Sequence, residues 1–295
     1  MWTHTTIVNR IEYFVFSIFV AISKLFNFYS YKYPGYILGN AFYYIIPIRK
    51  KVVLKNIKKA FPEYSEKRIK SIARKTYIHF ATLFFEIFGM SSFKRERIKE
   101  YVSFDDLQKF VNRRKEGKAV ILLTAHFGNW ELGAVSMGIQ LDEEIKVLAK
   151  PQRNELVSSW LDRNRETFGN KVVLLGTSVR ELYKAVKESG IVGIVGDQRG
   201  PESGERVFFM GQPTSIYQGT AAIAVKSKTP IFVVMTVKQK NSRYIGHVEE
   251  IEVENVTGTD EEKIRKVTQA YMTILEKYAR KNPEQWFWMH NIWKY

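Results

Sequence analysis

Two residues with acid–base side chains, His126 and Glu131, lie five positions apart, directly after the apolar run Ala119–Leu123. Histidine titrates near neutral pH, and a neighbouring carboxylate can orient its ring, so the pair has the chemistry of a general base that takes a proton from a hydroxyl. The chain contains no cysteine and no G-x-S-x-G motif, so it offers no obvious covalent nucleophile. These residues favour direct transfer of a group onto an alcohol.

The local structure around the pair decides whether the two side chains can meet. Inside one helix, five residues would separate them by about 140°. The geometry works if His126 precedes a helix, Asn129 is the N-cap and Glu131 lies in the first turn. The same segment also fits an ordinary strand–turn–helix in which Glu131 only complements the helix dipole. The segment His126–Glu131 alone leaves both interpretations open.

Further segments resemble, in the same order along the chain, the bacterial lipid A late acyltransferases, the lauroyl- and myristoyl-transferases that share an H-x4-E motif. The segments that carry the resemblance are 49–57, 60–63, 126–131, 164–169, 196–198, 207–211, 219–222 and 283–294. Their shared order over nearly the whole chain supports the assignment.

The resemblance implies a membrane-bound O-acyltransferase with His126 as the general base and Glu131 as the residue that orients it. Such an enzyme moves a fatty acyl chain from an acyl-carrier-protein or coenzyme A thioester to a glycolipid such as a lipid A precursor, or to a lysophospholipid. Beyond the acyl donor no cofactor is expected. No metal is expected either, because His4, His79 and His247 are isolated and lack a metal-ligand spacing.

The resemblance also assigns substrate-binding residues. Asp197 and Gln198 follow an apolar run and are expected beside the site, with no role assigned. Arg165 matches an arginine in a family segment, and its guanidinium could bind a phosphate of either substrate. Arg153 and Arg163 are alternatives for that role, and a solvated helix arginine is the ordinary alternative.

Aromatic residues near the pair could line a groove for an acyl chain. Asn129 and Trp130 lie between the two acid–base residues and are predicted to contact the substrate. Phe208 and Phe209 are further candidates for the groove. Burial in the core is the more frequent fate of such aromatic residues.

Positive charge is concentrated in the N-terminal part of the chain. The net charge is +16, of which +14 falls in residues 1–118 and +2 in the remainder. This asymmetry indicates a polyanionic partner: nucleic acid, anionic lipid headgroups or an acidic carrier protein. The apolar segment next to the charge favours a membrane surface.

The N-terminal segment has the length and composition of a membrane anchor. Ile11–Phe28 carries only Glu12 and Lys24 as charges, and a helix of this length rises about 27 Å. Tyr33–Ile48 contains proline and glycine and predicts an interfacial helix. A core helix and a cleaved signal peptide are alternatives for the first run. Because the basic cluster Arg49–Lys59 should stay cytoplasmic, we expect the catalytic domain on the cytoplasmic face of the inner membrane.

The remaining chain predicts an α/β fold: a single mixed, mostly parallel sheet flanked by helices. Residues 1–48 would form the membrane segment and 49–295 the acyltransferase domain, with a helical part at 49–118. Predicted strands are Ala119–Thr124, Ile145–Ala149, Lys171–Leu175, Ile191–Val195 and Ile231–Val237, with Arg243–Val253 as an antiparallel edge strand. Predicted helices are Lys50–Ala60, Ser65–Gly89, Phe104–Lys115, Asn129–Gln140, Asn154–Phe168, Ser178–Glu188, Ser215–Lys226 and Glu261–Lys281.

Two other functions compete with acyl transfer. A hydrolase could use the same histidine to activate water, and a nucleic-acid-binding protein could use the positive charge. The sequence leaves open the acyl-chain length, the acceptor, the donor carrier and the oligomeric state. It also leaves open whether the N-terminal helix spans the membrane or lies in its interface.

Overall fold

Seven strands form one mixed sheet in the computed structural model, which describes residues 4–174, 179–188 and 190–294. With the two strands of a separate hairpin, the described residues contain nine strands: β1 (Val102–Phe104), β2 (Val120–Thr124), β3 (Ile145–Ala149), β4 (Lys171–Leu174), β5 (Ile191–Val195), β6 (Arg206–Phe209), β7 (Gln212–Ser215), β8 (Ile231–Lys238) and β9 (Tyr244–Ile251). The sheet order is β1-β9-β8-β2-β5-β3-β4, and β6 and β7 form a separate hairpin. The strands from β8 to β4 are parallel, whereas β9 is antiparallel to β8. The predicted mixed, mostly parallel sheet is confirmed.

Helices occupy the connections between the strands and the whole N-terminal region. They are α1 (His4–Ser23), α2 (Lys32–Tyr44), α3 (Lys50–Ala60), α4 (Glu66–Gly89), α5 (Arg95–Tyr101), α6 (Leu107–Lys115), α7 (Trp130–Leu141), α8 (Glu155–Glu166), α9 (Val179–Glu188), α10 (Gly219–Ser227) and α11 (Asp260–Lys281). The predicted helix cap at Asn129 is confirmed, since its side chain accepts the backbone N–H of Leu132. Ser65 caps α4 in the same way by accepting the backbone N–H of Arg68. Ser178, predicted to begin a helix, lies outside the described residues.

Strand β2 is buried on both faces, which explains its continuous apolar run. Ile121 and Leu123 pack in the largest buried cluster, with α10, α11 and the C-terminal segment. Val120 and Leu122 point the other way, into a second cluster with α6 and α7. Because successive strand residues face opposite sides, an unbroken apolar strand is stable only with helices on both sides.

Three predictions about the strands and helices after residue 100 differ from the structure. Arg243–Val253 was expected at the sheet edge, but β1 pairs with the outer side of β9 and occupies the edge instead. The predicted helix Phe104–Lys115 begins only at Leu107, because Phe104 belongs to β1. The predicted helix Ser215–Lys226 begins at Gly219, because Ser215 ends the hairpin of β6 and β7.

Helix α2 lies unusually close to α4 because two glycines face it. A Cβ on Gly35 would stand 2.1 Å from Thr82 Oγ1, and one on Gly39 would stand 2.4 Å from the Cα of Ile78. The spacing of four residues puts both glycines on one helix face, so the two backbones approach without side chains between them. This packing joins the segment predicted as a membrane anchor to the helical part of the acyltransferase domain.

Helix α1 passes the length and hydropathy test for a membrane span. Its window Thr6–Ser23 has a mean hydropathy of 1.4, and only 11% of its residues are buried within the protein. The helix was predicted over Ile11–Phe28 but ends at Ser23, followed by a short 3-10 turn at Phe28–Ser30.

Candidate active site

The site lies where two neighbouring parallel strands end. In the pairing of β2 with β5, Thr124 is opposite Val195. His126 follows Thr124 by two residues and Asp197 follows Val195 by two residues, so the matched register brings both side chains to the same point. Ligand sites in open α/β sheets lie outside the carboxyl ends of strands, as here.

His126 and Asp197 are joined by side chain and backbone. His126 Nδ1 lies 2.7 Å from Asp197 Oδ1, and the His126 backbone N–H donates to Oδ2 at 3.0 Å. Trp286 Nε1 donates to the same Oδ2 at 2.9 Å. An ionised carboxylate only accepts hydrogen bonds, so Nδ1 carries the proton and the neutral ring has its lone pair on Nε2.

The environment of this pair favours its charged forms. Burial opposes the imidazolium, but the charge of Asp197 and the hydrogen bond to it outweigh burial and raise the pKa of His126, with a smaller contribution from the charge of Glu131. Burial likewise opposes the carboxylate, yet His126 and the hydrogen bond from Trp286 hold the pKa of Asp197 below its usual value. The His126 side chain is 26% exposed, whereas that of Asp197 is 2% exposed.

Glu131 does not hold the imidazole, which corrects the expected His126–Glu131 contact. Its carboxylate is bound by Arg165 instead, with Nε at 3.0 and 3.1 Å from the two oxygens and Nη2 at 2.6 Å from Oε1. Arg165 is therefore held in a bidentate ion pair within the protein, and its predicted contact with a phosphate stays a prediction. Glu131 lies in the first turn of α7 as predicted. The carboxylate at His126 is that of Asp197, which follows β5.

The loop that carries His126 is tied down by its backbone. Gly128 has φ +57°, and a Cβ there would stand 1.7 Å from the Thr236 carbonyl oxygen, so only glycine fits. The Gly128 N–H donates to the Gln285 carbonyl at 2.9 Å, and the Asn129 N–H donates to Thr236 at 3.3 Å. Both of these backbone N–H groups are therefore already bonded within the protein.

Asn129 belongs to the scaffold of this loop. Its side chain is completely buried; Oδ1 accepts the Leu132 N–H at 2.9 Å and Nδ2 donates to Glu86 at 2.9 Å. Glu86 is itself buried and is bonded by Lys238 at 2.6 Å and by Tyr244 at 2.7 Å. Both of its polar groups are therefore used within the protein, and its predicted contact with a substrate stays a prediction.

An apolar cavity of about 660 Å³ opens at His126 and runs between α7 and the sheet. Its walls include Trp130, Ala134, Met137, Leu122, Ile145, Val147, Gly193 and Val234, and its polar lining includes Glu131, Lys150, Gln152, Arg165 and Gln198. His126 lies between the carboxyl end of β2 and the start of α7, so lining residues near the start of the strands or further along α7 lie farther from it. The volume and largely apolar lining of the cavity suit a hydrocarbon chain.

Several predicted site residues do line this cavity: His126, Glu131, Trp130, Arg165 and Gln198. The two phenylalanines proposed for an acyl groove do not. Phe208 is 61% exposed, and Phe209 is buried against Trp286 and Trp293.

The sequence interpretation missed two residues of the site. Trp286 was included only in the segment 283–294 that carries the resemblance, with no site role assigned, yet it donates a hydrogen bond to Asp197. Lys150 directly follows β3 and lines the cavity. A cation directly after an apolar strand was the signal in the sequence. Among the residues that the structure describes, no three His, Asp or Glu side chains are grouped to hold a metal ion.

Fold and site together define an enzyme with a histidine–carboxylate pair at the head of a hydrocarbon-sized cavity. The chain belongs to the bacterial lipid A biosynthesis acyltransferase family, which it matches over residues 3–295. It is 26% identical over 255 residues to a lipid A biosynthesis palmitoleoyltransferase of Escherichia coli (strain K12) and to a lipid A biosynthesis acyltransferase of Shigella flexneri. It is 25% identical over 250 residues to a lipid A biosynthesis lauroyltransferase of Escherichia coli (strain K12). Each match covers 83% of this chain and 79% of the relative. The predicted family is confirmed, and the protein is an acyltransferase.

Proposed function

We propose that this protein transfers a fatty acyl chain from an acyl-carrier-protein or coenzyme A thioester to a hydroxyl of a lipid A-type glycolipid at the cytoplasmic face of the inner membrane. One observation supports this most directly: a histidine paired with a buried carboxylate stands at the mouth of the apolar cavity. The family supplies the reaction class, and the names of the relatives supply the acceptor class.

In the proposed reaction, His126 Nε2 takes the proton of the acceptor hydroxyl. The oxygen attacks the thioester carbonyl carbon, the C–S bond breaks, and the imidazolium returns its proton to the leaving thiolate. Asp197 holds the ring and stabilises the imidazolium, as the carboxylate does in a catalytic triad. Glu131 adds negative charge nearby and keeps Arg165 in place.

The developing oxyanion needs donors other than the loop N–H groups. Trp130 and Glu131 are the first two residues of α7 and line the cavity. Their N–H groups have no carbonyl one turn earlier, and the helix dipole there favours negative charge. We assign the oxyanion to this helix start.

Lys150 is the cation that we assign to phosphate recognition, since Arg165 is paired with Glu131. Both substrates carry phosphate groups, one on the donor's carrier and one on the glycolipid. Lys150→Gln should raise one of the two KM values about tenfold and leave kcat within a factor of two, since a phosphate contact contributes equally to ground and transition state. The KM that rises identifies the substrate bound there, and two unchanged values would remove Lys150 from substrate binding.

A direct assay tests the function. Mass spectrometry follows acylated acceptor and free fatty acid when the enzyme is given acyl thioester with and without acceptor. His126→Ala should lose about 10²–10⁴-fold in turnover. His247→Ala is the matched control, because His247 is also paired through Nδ1 with an aspartate, Asp105, but does not line the cavity.

The two competing outcomes are distinct in this assay. Free fatty acid formed at the same rate with and without acceptor would identify a hydrolase. Equal losses in His126→Ala and His247→Ala would show that neither histidine is the base.

A further inference from the structure

Most exposed side chains of α1 and the turn after it are apolar and share one helix face, and the polar exceptions are Arg10 near its start and Lys24 and Asn27 after its end. Seven of the apolar side chains have exposures from 41% to 82%: Ile7, Ile11, Phe14, Val15, Ile18, Ile22 and Leu25. Their spacings of three, four and seven residues follow the helical period. A helix face in contact with water carries polar side chains instead, so this face requires an apolar environment.

The opposite face of α1 is packed against the catalytic domain along its length. Glu12 accepts a hydrogen bond from Arg153 at 2.6 Å, near the start of α8. Phe16 meets Trp160 of α8 edge to face, with ring centroids 5.1 Å apart, and Phe19 packs on α4. The helix therefore lies along the surface of the domain and does not project from it.

Helix α8 cannot enter hydrocarbon together with α1. Five of its twelve residues are charged, namely Glu155, Asp162, Arg163, Arg165 and Glu166, and charged side chains are costly inside a bilayer. A spanning α1 would carry this helix into the membrane beside it. We infer that α1 lies in the plane of the membrane interface, with its exposed face in one leaflet and both of its ends on the side of the catalytic domain.

A second exposed apolar segment lies at the end of α2 and is followed by basic residues. Exposed apolar residues at that end are Tyr44, Ile45, Ile46 and Ile48, followed by the basic residues Arg49, Lys50, Lys51 and Lys55. Apolar side chains bordered by lysine and arginine match a leaflet that contains anionic phospholipid. The occupant of the surface is such a leaflet; this inference rests on the membrane association proposed above.

The in-plane position also explains how an acyl chain reaches the site. Arg153, which holds α1, directly follows Gln152, and Lys150 lies two positions earlier; both of these residues line the cavity. The wall of the cavity at Lys150 and Gln152 therefore lies next to the residue that holds α1. Lipid substrates reach His126 from the membrane without crossing bulk water.

Sidedness of labelling separates an in-plane helix from a spanning one. The chain has no cysteine, so single-cysteine variants need no prior substitutions. His4→Cys at the start of α1 and Lys240→Cys in the exposed β8–β9 turn are treated with a membrane-impermeant maleimide in oriented vesicles, with detergent added to a second sample as the reactivity control. In-plane binding labels both cysteines from the same side. Labelling of His4→Cys only from the opposite side would show a spanning helix and overturn the inference, while membrane association would stand.

Spin labels provide a second, independent reading of the same geometry. Labels at Ile7, Phe14 and Ile22 report equal depths in the bilayer if the helix lies in the plane. A label at Phe14 that is clearly deeper than the other two would show a helix that crosses the membrane.

Matched charge substitutions test the occupant. Phe14→Glu and Phe208→Glu alter side chains that are 66% and 61% exposed, and only Phe14 lies on the proposed face. Binding to vesicles of phosphatidylethanolamine and phosphatidylglycerol should weaken about tenfold or more in Phe14→Glu and stay unchanged in Phe208→Glu. Equal weakening in both variants, or a dimer in solution that Phe14→Glu dissociates without change in vesicle binding, would overturn the proposed occupant. Wild-type protein that does not bind vesicles would remove the membrane association itself.

Discussion

His126 and Asp197 are joined by two hydrogen bonds, from Nδ1 to Oδ1 at 2.7 Å and from the backbone N–H to Oδ2 at 3.0 Å. The backbone bond fixes the loop, and the ring bond fixes the tautomer. One carboxylate therefore both positions the imidazole and raises its pKa. The shape of Asp197 contributes to the position of the imidazole, and its charge contributes to the pKa of His126. An isosteric substitution separates these two contributions.

Asp197→Asn keeps the shape of the side chain and removes its charge. The pKa of His126 should fall, because the charge that raises it is gone. A base works only when unprotonated, so the acidic limb of the kcat/KM profile should move to lower pH. Turnover on the plateau should fall about 10²–10⁴-fold, since the imidazolium loses its stabilising partner. Profiles of both enzymes measure the shift, and an unmoved acidic limb would contradict His126 as the base.

The Glu131–Arg165 ion pair should show strong coupling, because its side chains are only 11% and 18% exposed. Arg165→Met leaves a largely buried carboxylate unpaired and should lower the free energy of unfolding by about 3 kcal/mol. The double variant Glu131→Gln/Arg165→Met should recover most of this loss. Urea unfolding measures both, with Lys58→Met as the control that breaks an exposed pair and should cost less than about 1 kcal/mol. Additive losses in the double variant would show that the pair contributes no coupling energy.

Local patterns predicted much of the fold. The strands Ile145–Ala149 and Ile191–Val195 and the helix Lys50–Ala60 have the predicted bounds. Each segment has a single hydrophobic pattern and ends at residues typical of a boundary, so the local sequence is sufficient to predict its bounds. The strand Val102–Phe104 is three residues long and is too short to show a period.

The partner of His126 was not predictable from local patterns. The strand that carries Asp197 comes after two intervening strands in the chain, yet it pairs directly with the strand that precedes His126. Trp286 reaches Asp197 from 89 residues further along. Strand order and register bring these three residues together, and no spacing along the chain encodes them. Glu131 was predicted as the partner because it is close to His126 in the sequence. Helix α7 instead turns the Glu131 carboxylate towards Arg165.

The wall of the cavity should set the acyl-chain length. Ala134 and Met137 line it one and two turns along α7 from Trp130. Ala134→Phe fills the space near the histidine, so activity with the longest accepted donor should fall about tenfold or more. Met137→Ala should shift preference to longer chains, since it opens the far end. A donor-length series measured by mass spectrometry tests both, with Val135→Ala, in a separate buried cluster, as the control. An unchanged length profile in both lining variants would place the acyl chain elsewhere.

His79 should make the protein sensitive to acid. Burial and the charge of Lys238 lower the pKa of His79 to about 3, whereas an unfolded histidine titrates near pH 6.5. Between these values the unfolded state binds the extra proton, so stability falls as pH decreases, by up to about 1.4 kcal/mol per pH unit. His79→Gln keeps a donor for the Gly128 carbonyl and should flatten this dependence. Urea unfolding at pH 4, 5, 6 and 7 measures the slope, and equal slopes in the two proteins would contradict a buried neutral His79.

The close contact of α2 with α4 should depend on Gly39. A methyl group there would stand 2.4 Å from the Cα of Ile78, and backbone cannot rotate away as a side chain can. Gly39→Ala should therefore push α2 outward and destabilise the protein by about 1–3 kcal/mol. Gly219→Ala is the control, since a Cβ at Gly219 meets nothing within 4 Å. Thermal unfolding compares the two variants. The exposed apolar residues at the end of α2, from Tyr44 to Ile48, belong to the proposed membrane surface. Gly39→Ala should therefore also weaken vesicle binding. Destabilisation with full vesicle binding would show that α1 alone holds the protein on the membrane.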